Sequence, residues 1–447
     1  MSRELHLTLF PLGVGHHEAA WLAEGTDPAG MHGLAHFAGL ARIAEAAAFD
    51  AVFLADQLSL RDIVEFNPHE KLDPLVVLGA LAASTERIGL VGTASTTFAE
   101  PYAVARQFAS LDHVSGGRAG WNIVTTAEAE ASENFGGPDG VTPRRPHEER
   151  YARAAEFVEV TRGLWDGWAD DALVRDRGTG RYADPARITE SRHRGAHFSV
   201  RGPLNVPRPP QGHPVLVQAG ASEPGLEFAA RVAELVFTAQ YDHDESLAFT
   251  RDLQARAARH GRRPDEVLVL PGLIPVLGAT EEEARHRESA LHALGGGEHS
   301  LGLLSWLLGG VDLRKLPLDA PVPDAILPAE DEVGGQRARF ALLVRLARRE
   351  RLTLRQLLHQ IAGGHGHRVI VGTPEQVAAD IERWFRSGAA DGFNVMPPVL
   401  PAGLEEFTEQ VVPLLRRAGI FREGYAGTTL REHLGLLRPV RTGELVG

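Results

Sequence analysis

The sequence contains no cysteine. Disulfide bonds, thiolate metal sites and a cysteine nucleophile are therefore excluded, and the composition suits a reducing compartment such as the cytoplasm. The chain also lacks any run of about 18 uncharged apolar residues, so no membrane-spanning helix is expected. Its start, MSRELHLTLF, has no basic segment followed by an apolar run, and we expect no signal peptide. These absences predict a cytoplasmic protein without a membrane partner.

Basic residues are fewer than acidic ones: 46 Lys and Arg stand against 59 Asp and Glu, a formal net charge of −13. Nucleic-acid binding needs clustered Lys and Arg that neutralise phosphates, so this class of partner is not expected. A metal centre is not expected either. The two histidine-bearing stretches, 13–21 and 363–368, lack an HExxH pattern or a third ligand at helical spacing.

What the sequence does contain is a regular alternation of short apolar runs and amphipathic segments. The runs are continuous, as expected of parallel strands that are covered on both faces. The predicted strands cover residues 5–13, 50–57, 88–97, 119–126, 214–220, 234–240, 267–277 and 391–396. The predicted helices cover residues 33–49, 72–84, 101–111, 147–165, 222–232, 245–260, 373–387 and 404–417. Eight such units in about 400 residues predict an α/β fold, a (β/α)8 TIM barrel, with a doubly wound open sheet as the alternative.

Two segments interrupt the alternation. Residues 170–213 are rich in Arg, Gly and Pro, and residues 280–366 combine helical patterns with a Pro-rich loop. We expect both insertions to select the substrate, the second as a lid. The apolar stretch 300–310 forms either a packed core or subunit interface, or a wall of the substrate pocket that would favour an apolar or aromatic substrate. The chain, 1–447, is predicted to be one domain that ends in a surface extension from about residue 425.

Polar side chains follow most of the predicted strands. In a TIM barrel these positions meet at the carboxyl ends of the strands, where active sites lie. They form a rim of hydroxyls and amides with one carboxylate: Asp56, Gln57, Ser95, Thr96, Thr97, Asn122, Thr125, Thr126, Gln218, Ser222, Thr238, Gln240 and Asn394. Such a rim suits a flat, heteroatom-rich ligand that makes many neutral hydrogen bonds. The alternative is that these side chains cap helices and satisfy turns.

Two further motifs suit a phosphate group. In "QAGASEPG", residues 218–225, a strand breaks at a glycine and Ser222 begins a helix, whose free amides can hold an anion. In "HEERY", His147 and Tyr151 stand at positions i and i+4 of one helix face. The alternatives are an ordinary Ser cap and a surface or capping histidine.

Seven stretches, in order from residue 5 to about 420, carry a family resemblance: "ARIAEAAAFDAVFLADQ", "LDPLVVLGALAASTERIGLVGTASTTFAEPY", "ARQFASLDHVSGGRAGWNIVTT", "ENFG", "HEERY", "GPLNVPRPPQGHPVLVQAGASEPG" and "VGTPEQVAADIERWFRSGAADGFNV". In order and spacing they resemble the bacterial luciferase-like flavin monooxygenases. The similar branch contains nitrilotriacetate monooxygenase component A, dibenzothiophene-sulfone monooxygenase and long-chain alkane monooxygenase.

The resemblance implies a TIM barrel with insertions and a two-component, FMNH2-dependent monooxygenase. A separate NAD(P)H:flavin reductase would supply the reduced FMN, which would react with O2 to a flavin (hydro)peroxide that oxygenates a small organic substrate. The family also implies a homodimer or homotetramer. Two alternatives remain: a deazaflavin-dependent oxidoreductase on the same fold, and a flavin-binding protein without catalysis.

The resemblance also assigns residues. It places Asp56, Thr97 and Asn122 near the isoalloxazine and ribityl chain, and His147, Tyr151 and Ser222 near the phosphate or ribityl end. Thr96, Thr126 and Ala221 are further candidates, and His16 or His17 matches a pocket histidine that assists oxygen activation or substrate placement in some relatives. The sequence departs from the family at Leu22, where many relatives have a basic residue, so the resemblance assigns no substrate-carboxylate role to that position.

Overall fold

The computed structural model describes residues 3–60, 64, 68, 70–136, 146–220, 222–295, 298–329, 333, 337–364 and 366–441. Its strands are β1 (His6–Leu9), β2 (Ala51–Leu54), β3 (Gly89–Ser95), β4 (Ala119–Val124), β5 (His193–Arg194), β6 (Ser199–Val200), β7 (Val215–Gln218), β8 (Leu235–Thr238), β9 (Leu268–Leu277), β10 (Arg368–Gly372) and β11 (Gly392–Val395).

Eight parallel strands close into a barrel. The order around it is β1, β2, β3, β4, β7, β8, β9 and β11, and β11 pairs with β1. Closure rests on β9, which pairs with β8 through Leu235↔Leu268 and with β11 through Val395↔Leu273. The predicted TIM barrel is therefore confirmed, and the open sheet is excluded. The strand β10 pairs with the far half of β9, beyond the end of β8.

Helices surround the barrel. They are α1 (Leu34–Ala46), α2 (Pro74–Ser84), α3 (Pro101–Ser115), α4 (Ala129–Asn134), α5 (His147–Trp165), α6 (Glu223–Val232), α7 (His243–Arg259), α8 (Glu281–Leu294), α9 (Glu298–Leu307), α10 (Arg337–Glu350), α11 (Leu354–Gly364), α12 (Pro374–Ser387), α13 (Ala402–Glu406), α14 (Val412–Arg417) and α15 (Leu430–His433). Short 3-10 turns cover Ala20–Leu22, Pro185–Arg187, Pro264–Glu266 and Asp324–Ile326, and a π-helical turn covers Phe407–Val411. None of the described helices is long and apolar enough to cross a membrane.

The C-terminal extension closes the bottom of the barrel. Leu430, Leu434 and Leu436 are buried and pack in one cluster with the strand residues Val215 and Leu268. The expectation of a surface extension is therefore wrong for this part of it. The sequence signal is weak because only a few leucines stand among polar and basic residues, and because the cavity that they fill is formed by distant strands.

The segment 170–213 also lies at the bottom of the barrel, at the amino ends of the strands. It joins the end of α5 to the start of β7 and contains the 3-10 turn Pro185–Arg187 and the hairpin β5–β6. Gln211 donates to Asp112 near the end of α3, and Arg208 donates to the carbonyl of Pro439. Catalytic loops of such barrels lie at the opposite end. The expectation that this segment selects the substrate is therefore not supported.

The insertion 280–366 lies at the other end. Its helices build an apolar cluster in which Leu304, Leu307, Phe340 and Leu357 are buried. Tyr241, which follows β8, packs against the same cluster, so the insertion adjoins the mouth of the barrel. Stretch 300–310 thus contributes to a packed core, and its interpretation as a pocket wall is not supported.

The motif "SGGR" before β4 is a structural turn. The two glycines, Gly116 and Gly117, have φ angles of 70° and 94°, which favour glycine and end α3. Arg118 is buried and donates five hydrogen bonds, to the Ser115, Ile88, Ala82 and Thr85 carbonyls and to the Thr85 hydroxyl, at 2.7–3.1 Å. It ties the end of α2 to the starts of β3 and β4.

We expect Arg118→Lys to lower the free energy of unfolding by about 2 kcal/mol, because a lysine ammonium cannot reproduce the planar fork and leaves buried carbonyls unpaired. Urea denaturation of both proteins measures the change. The matched control is Arg201→Lys at an exposed Arg–Glu190 pair, where no measurable change is expected because solvent screens the pair. Equal effects at the two sites would contradict a structural role for Arg118.

Candidate active site

A buried amide on β4 faces the interior of the barrel. Trp121 and Ile123 pack outward in the cluster with α3 and α5, so Asn122 between them points inward. Its Nδ2 donates to the Thr93 hydroxyl at 2.8 Å, and that hydroxyl donates to the Leu54 carbonyl at 2.9 Å. Asn122 is 3% exposed, and its Oδ1 has no hydrogen-bond partner among the described residues. A buried carbonyl in this state fits a ligand that brings an N–H or O–H donor.

Hydroxyl groups from the ends of β3 and β4 lie beside this amide. Thr97 donates from Oγ1 to the Thr126 carbonyl at 3.1 Å, and the Thr126 hydroxyl donates to the Ser95 hydroxyl at 2.7 Å. Thr96 donates to the Val124 carbonyl at 3.1 Å. The structure thus brings the three predicted threonines together. Their protons are used within the protein, so toward a ligand they offer oxygen lone pairs.

The single predicted carboxylate follows β2. Asp56 is half-buried, and its Oδ1 accepts a hydrogen bond from the Gln57 amide at 2.8 Å. Burial raises the pKa of this carboxyl, and the neighbouring carboxylates of Asp73 and Glu128 act in the same direction, against the Gln57 hydrogen bond. The group can accept hydrogen bonds from ligand hydroxyls, because its position beside β3 places it on the same rim.

A cluster of donors lies where α5 and α6 begin. The Ser222 hydroxyl and His147 Nε2 are 3.4 Å apart, and the rings of His147 and Tyr151 have centroids 5.0 Å apart. Ser222 caps α6 by accepting the Gly225 amide at 3.3 Å. The structure therefore unites the two motifs that the sequence offered separately. Ala221 lies outside the described residues.

Glycines leave room within this donor cluster. A methyl group built on Gly225 would lie 2.9 Å from the Tyr151 hydroxyl and 3.0 Å from that of Ser222, whereas one on Gly220 would clash with the Gln218 side chain and lie 3.1 Å from the Tyr151 hydroxyl. A side chain at Gly225 would therefore fill the space between the donors. Hydroxyl, imidazole and helix-terminal amide donors around such a space suit a phosphate group.

Aromatic rings form the floor of the barrel mouth. The ring centroids of Phe10, Phe53 and Phe237 lie 5.3–5.7 Å apart, and His367 stacks on Phe237 at 4.9 Å. These rings can shield a bound ligand from water. The sequence pattern does not reveal them, because each phenylalanine belongs to an apolar strand run and is indistinguishable there from ordinary core. The only available signal was their shared position near strand ends.

The two candidate histidines after β1 point to different surroundings. His16 is buried, its Nε2 lies 2.7 Å from the Phe10 carbonyl, and its ring contacts Phe10 edge-on at 4.8 Å. His17 is also buried, but its Nε2 lies 3.1 Å from Nδ1 of His292 on α8. His16 therefore belongs to the aromatic floor, and His17 contacts the insertion. No group of three or more potential metal ligands is found within the described part of the chain.

The chain is similar to known proteins along nearly its whole length. Residues 7–391 match the family described as luciferase-like monooxygenase. N-acetyl-S-(2-succino)cysteine monooxygenase of Bacillus subtilis (strain 168) is 44% identical and covers 98% of both chains. Nitrilotriacetate monooxygenase component A of Aminobacter aminovorans is 45% identical over 95% of both. A riboflavin lyase solved with modified FMN and riboflavin has a TM-score of 0.85 at 34% identity, covering 98% of this chain and 97% of that one.

Proposed function

Because the chain belongs to the luciferase-like monooxygenase family, we propose that it is the oxygenating component of a two-component system and oxidises a small organic compound with O2. It is a flavin-dependent monooxygenase whose cofactor is reduced FMN. A separate NAD(P)H:flavin reductase is its partner. Two relatives that are 44% and 45% identical over almost the full chain are monooxygenases, which favours oxygenation over deazaflavin-dependent hydride transfer and over flavin binding without catalysis.

One observation carries the proposed site: the buried Asn122 carbonyl has no partner among the described residues, although the rest of its side chain is fixed. The N–H groups of reduced FMN are donors that this carbonyl can accept from. With Asn122 we assign Asp56, Thr97 and Thr126 to the ring and ribityl end. We assign His147, Tyr151, Ser222 and Ala221 to the phosphate end.

The chain's own side chains bind and orient the cofactor and exclude water from the site. Reduced FMN, when bound, supplies the electrons that reduce dioxygen. Phe10, Phe53 and Phe237 exclude water beneath the ring end, which strengthens the neutral hydrogen bonds of the rim. The imidazole of His16, held by the Phe10 carbonyl, is proposed to contact the reacting groups. His17 joins the loop after β1 to the insertion.

The substrate is proposed to enter between the barrel mouth and the insertion, which acts as a lid. The whole chain is proposed to be one domain, located in the cytoplasm. The assembly is proposed to be a homodimer or homotetramer, as the family resemblance implies. Light scattering of the purified protein measures this assembly.

We expect reduced FMN to bind at least as tightly as oxidised FMN in an anaerobic titration, because the site offers a carbonyl to a ligand donor. Product should then form only when reduced FMN and O2 are both supplied. Candidate substrates for the screen are S-succinylated and N-carboxymethylated compounds, sulfones and alkanes. Binding of neither flavin form would end the proposal, and oxygen-independent turnover with a reduced deazaflavin would support the alternative.

A further inference from the structure

A pair of histidines joins the loop after β1 to the insertion. The Ala19 amide donates to His17 Nδ1 at 3.1 Å, and because a backbone N–H can only donate, this nitrogen is the acceptor. In the neutral ring the proton is then on His17 Nε2, which donates to Nδ1 of His292 at 3.1 Å. The two contacts fix the tautomers of both rings.

The end of α8 also packs closely against the same loop. A methyl group built on Gly295, the residue after α8, would lie 3.4 Å from the Ala19 side chain. The His292 ring also stacks in parallel on the ring of His359 in α11, with ring centroids 4.5 Å apart. One imidazole thus contacts the loop after β1 and a second helix of the insertion.

The His292 ring is suited to accept this hydrogen bond at neutral pH. Burial lowers its pKa to about 4, and His359 acts in the same direction. The ring therefore stays neutral well below pH 7, and its Nδ1 keeps the lone pair that the His17 proton needs. The backbone of the loop is held separately, because the His16 and His17 amides donate to the Pro397 and Pro398 carbonyls.

We propose that His292 is a positioning residue that holds the insertion and the histidine loop, residues 13–22, together over the barrel mouth. It acts through His17 and contacts no reacting atom itself. Its effect on catalysis rests on the proposed function, whereas its effect on the loop does not. Losing this hydrogen bond lets the loop and the insertion separate more often, which admits water and weakens substrate binding without changing the FMN-binding rim.

The first test is amide hydrogen exchange of the purified protein over residues 13–22. We expect His292→Ala to speed exchange there by about threefold to tenfold, the range that one partly buried hydrogen bond supplies. His292→Asn should restore protection, because the Asn carbonyl oxygen reaches the position of Nδ1. His292→Gln, whose oxygen reaches toward the position of Nε2 instead, should not. The matched control is His286→Ala at an exposed histidine of α8, which should leave exchange unchanged.

The second test uses turnover of the same variants with reduced FMN. We expect His292→Ala to raise KM for the organic substrate and the share of O2 released as hydrogen peroxide, both by about threefold to tenfold, with FMN affinity unchanged. Unchanged loop exchange in His292→Ala, or equal rescue by Asn and Gln, would overturn the proposal. The exchange result stands apart from the flavin assignment, so a protein that binds no FMN but shows the exchange pattern would reject only the proposed function.

Discussion

Replacing Asn122 with leucine is expected to weaken the binding of reduced FMN by about a hundredfold. Leucine has the same branched shape, with methyl groups in place of the amide atoms, but no acceptor, so the ligand N–H that meets the Asn122 carbonyl would be buried without a partner. The cost of such an unpaired donor is about 1–3 kcal/mol, and the upper part of that range applies because Asn122 is only 3% exposed. Anaerobic fluorescence or calorimetric titration measures the loss.

A second buried amide provides the control. Asn394 on β11 is 1% exposed, but its Oδ1 already accepts a hydrogen bond from the Thr8 hydroxyl at 2.9 Å. Asn394→Leu should therefore destabilise the fold by about 1–3 kcal/mol and change FMN affinity by less than about threefold. If Asn122→Leu binds reduced FMN like the unchanged protein, or if both variants lose affinity equally, the Asn122 carbonyl is not a cofactor ligand.

The fold was predictable because each barrel strand forms a continuous apolar run between helical patterns with recognisable starts. Pro74 and Pro374 lie at helix starts, and Asp73 and Thr373 accept hydrogen bonds from the following amides, as capping residues do. The extra strand β10 was not predicted. Its run RVIVG lies between a glycine-rich loop and a strong helix start, and only its pairing with the long β9 makes it a strand.

The polar half of the site was predictable and the apolar half was not. Strand-end position places Asn122, Thr97 and Asp56 on one rim, because the carboxyl ends of parallel strands meet at one end of a barrel, and the family resemblance then assigns them to the cofactor. Phe53 satisfies the strand pattern whether it lines a pocket or fills a core, so sequence periodicity cannot separate the two. The contact between His17 and His292 spans 275 residues, and neither local sequence contains a sign of the other.

Replacing Gly225 with alanine is expected to weaken FMN binding by about a hundredfold while changing riboflavin binding by less than about threefold. The new methyl group would lie 2.9 Å from the Tyr151 hydroxyl and 3.0 Å from the Ser222 hydroxyl, closer than carbon and oxygen can approach without displacing one of them. Riboflavin lacks the phosphate that these donors are proposed to hold, so it should be insensitive. Ser222→Ala and Tyr151→Phe should act in the same direction, each with a smaller effect, because one donor is lost and the space remains.

The matched control for this substitution is Gly79→Ala on the exposed face of α2, where a methyl group meets nothing within 4 Å. This variant should gain about 0.5–1 kcal/mol of stability from the better helix former and bind both flavins normally. Titrations with FMN and riboflavin on the same samples give the ratio of the two affinities for each variant. Equal losses for the two ligands in Gly225→Ala would mean that the methyl group disturbs the barrel mouth as a whole, and the phosphate would then have to be assigned to another part of the rim.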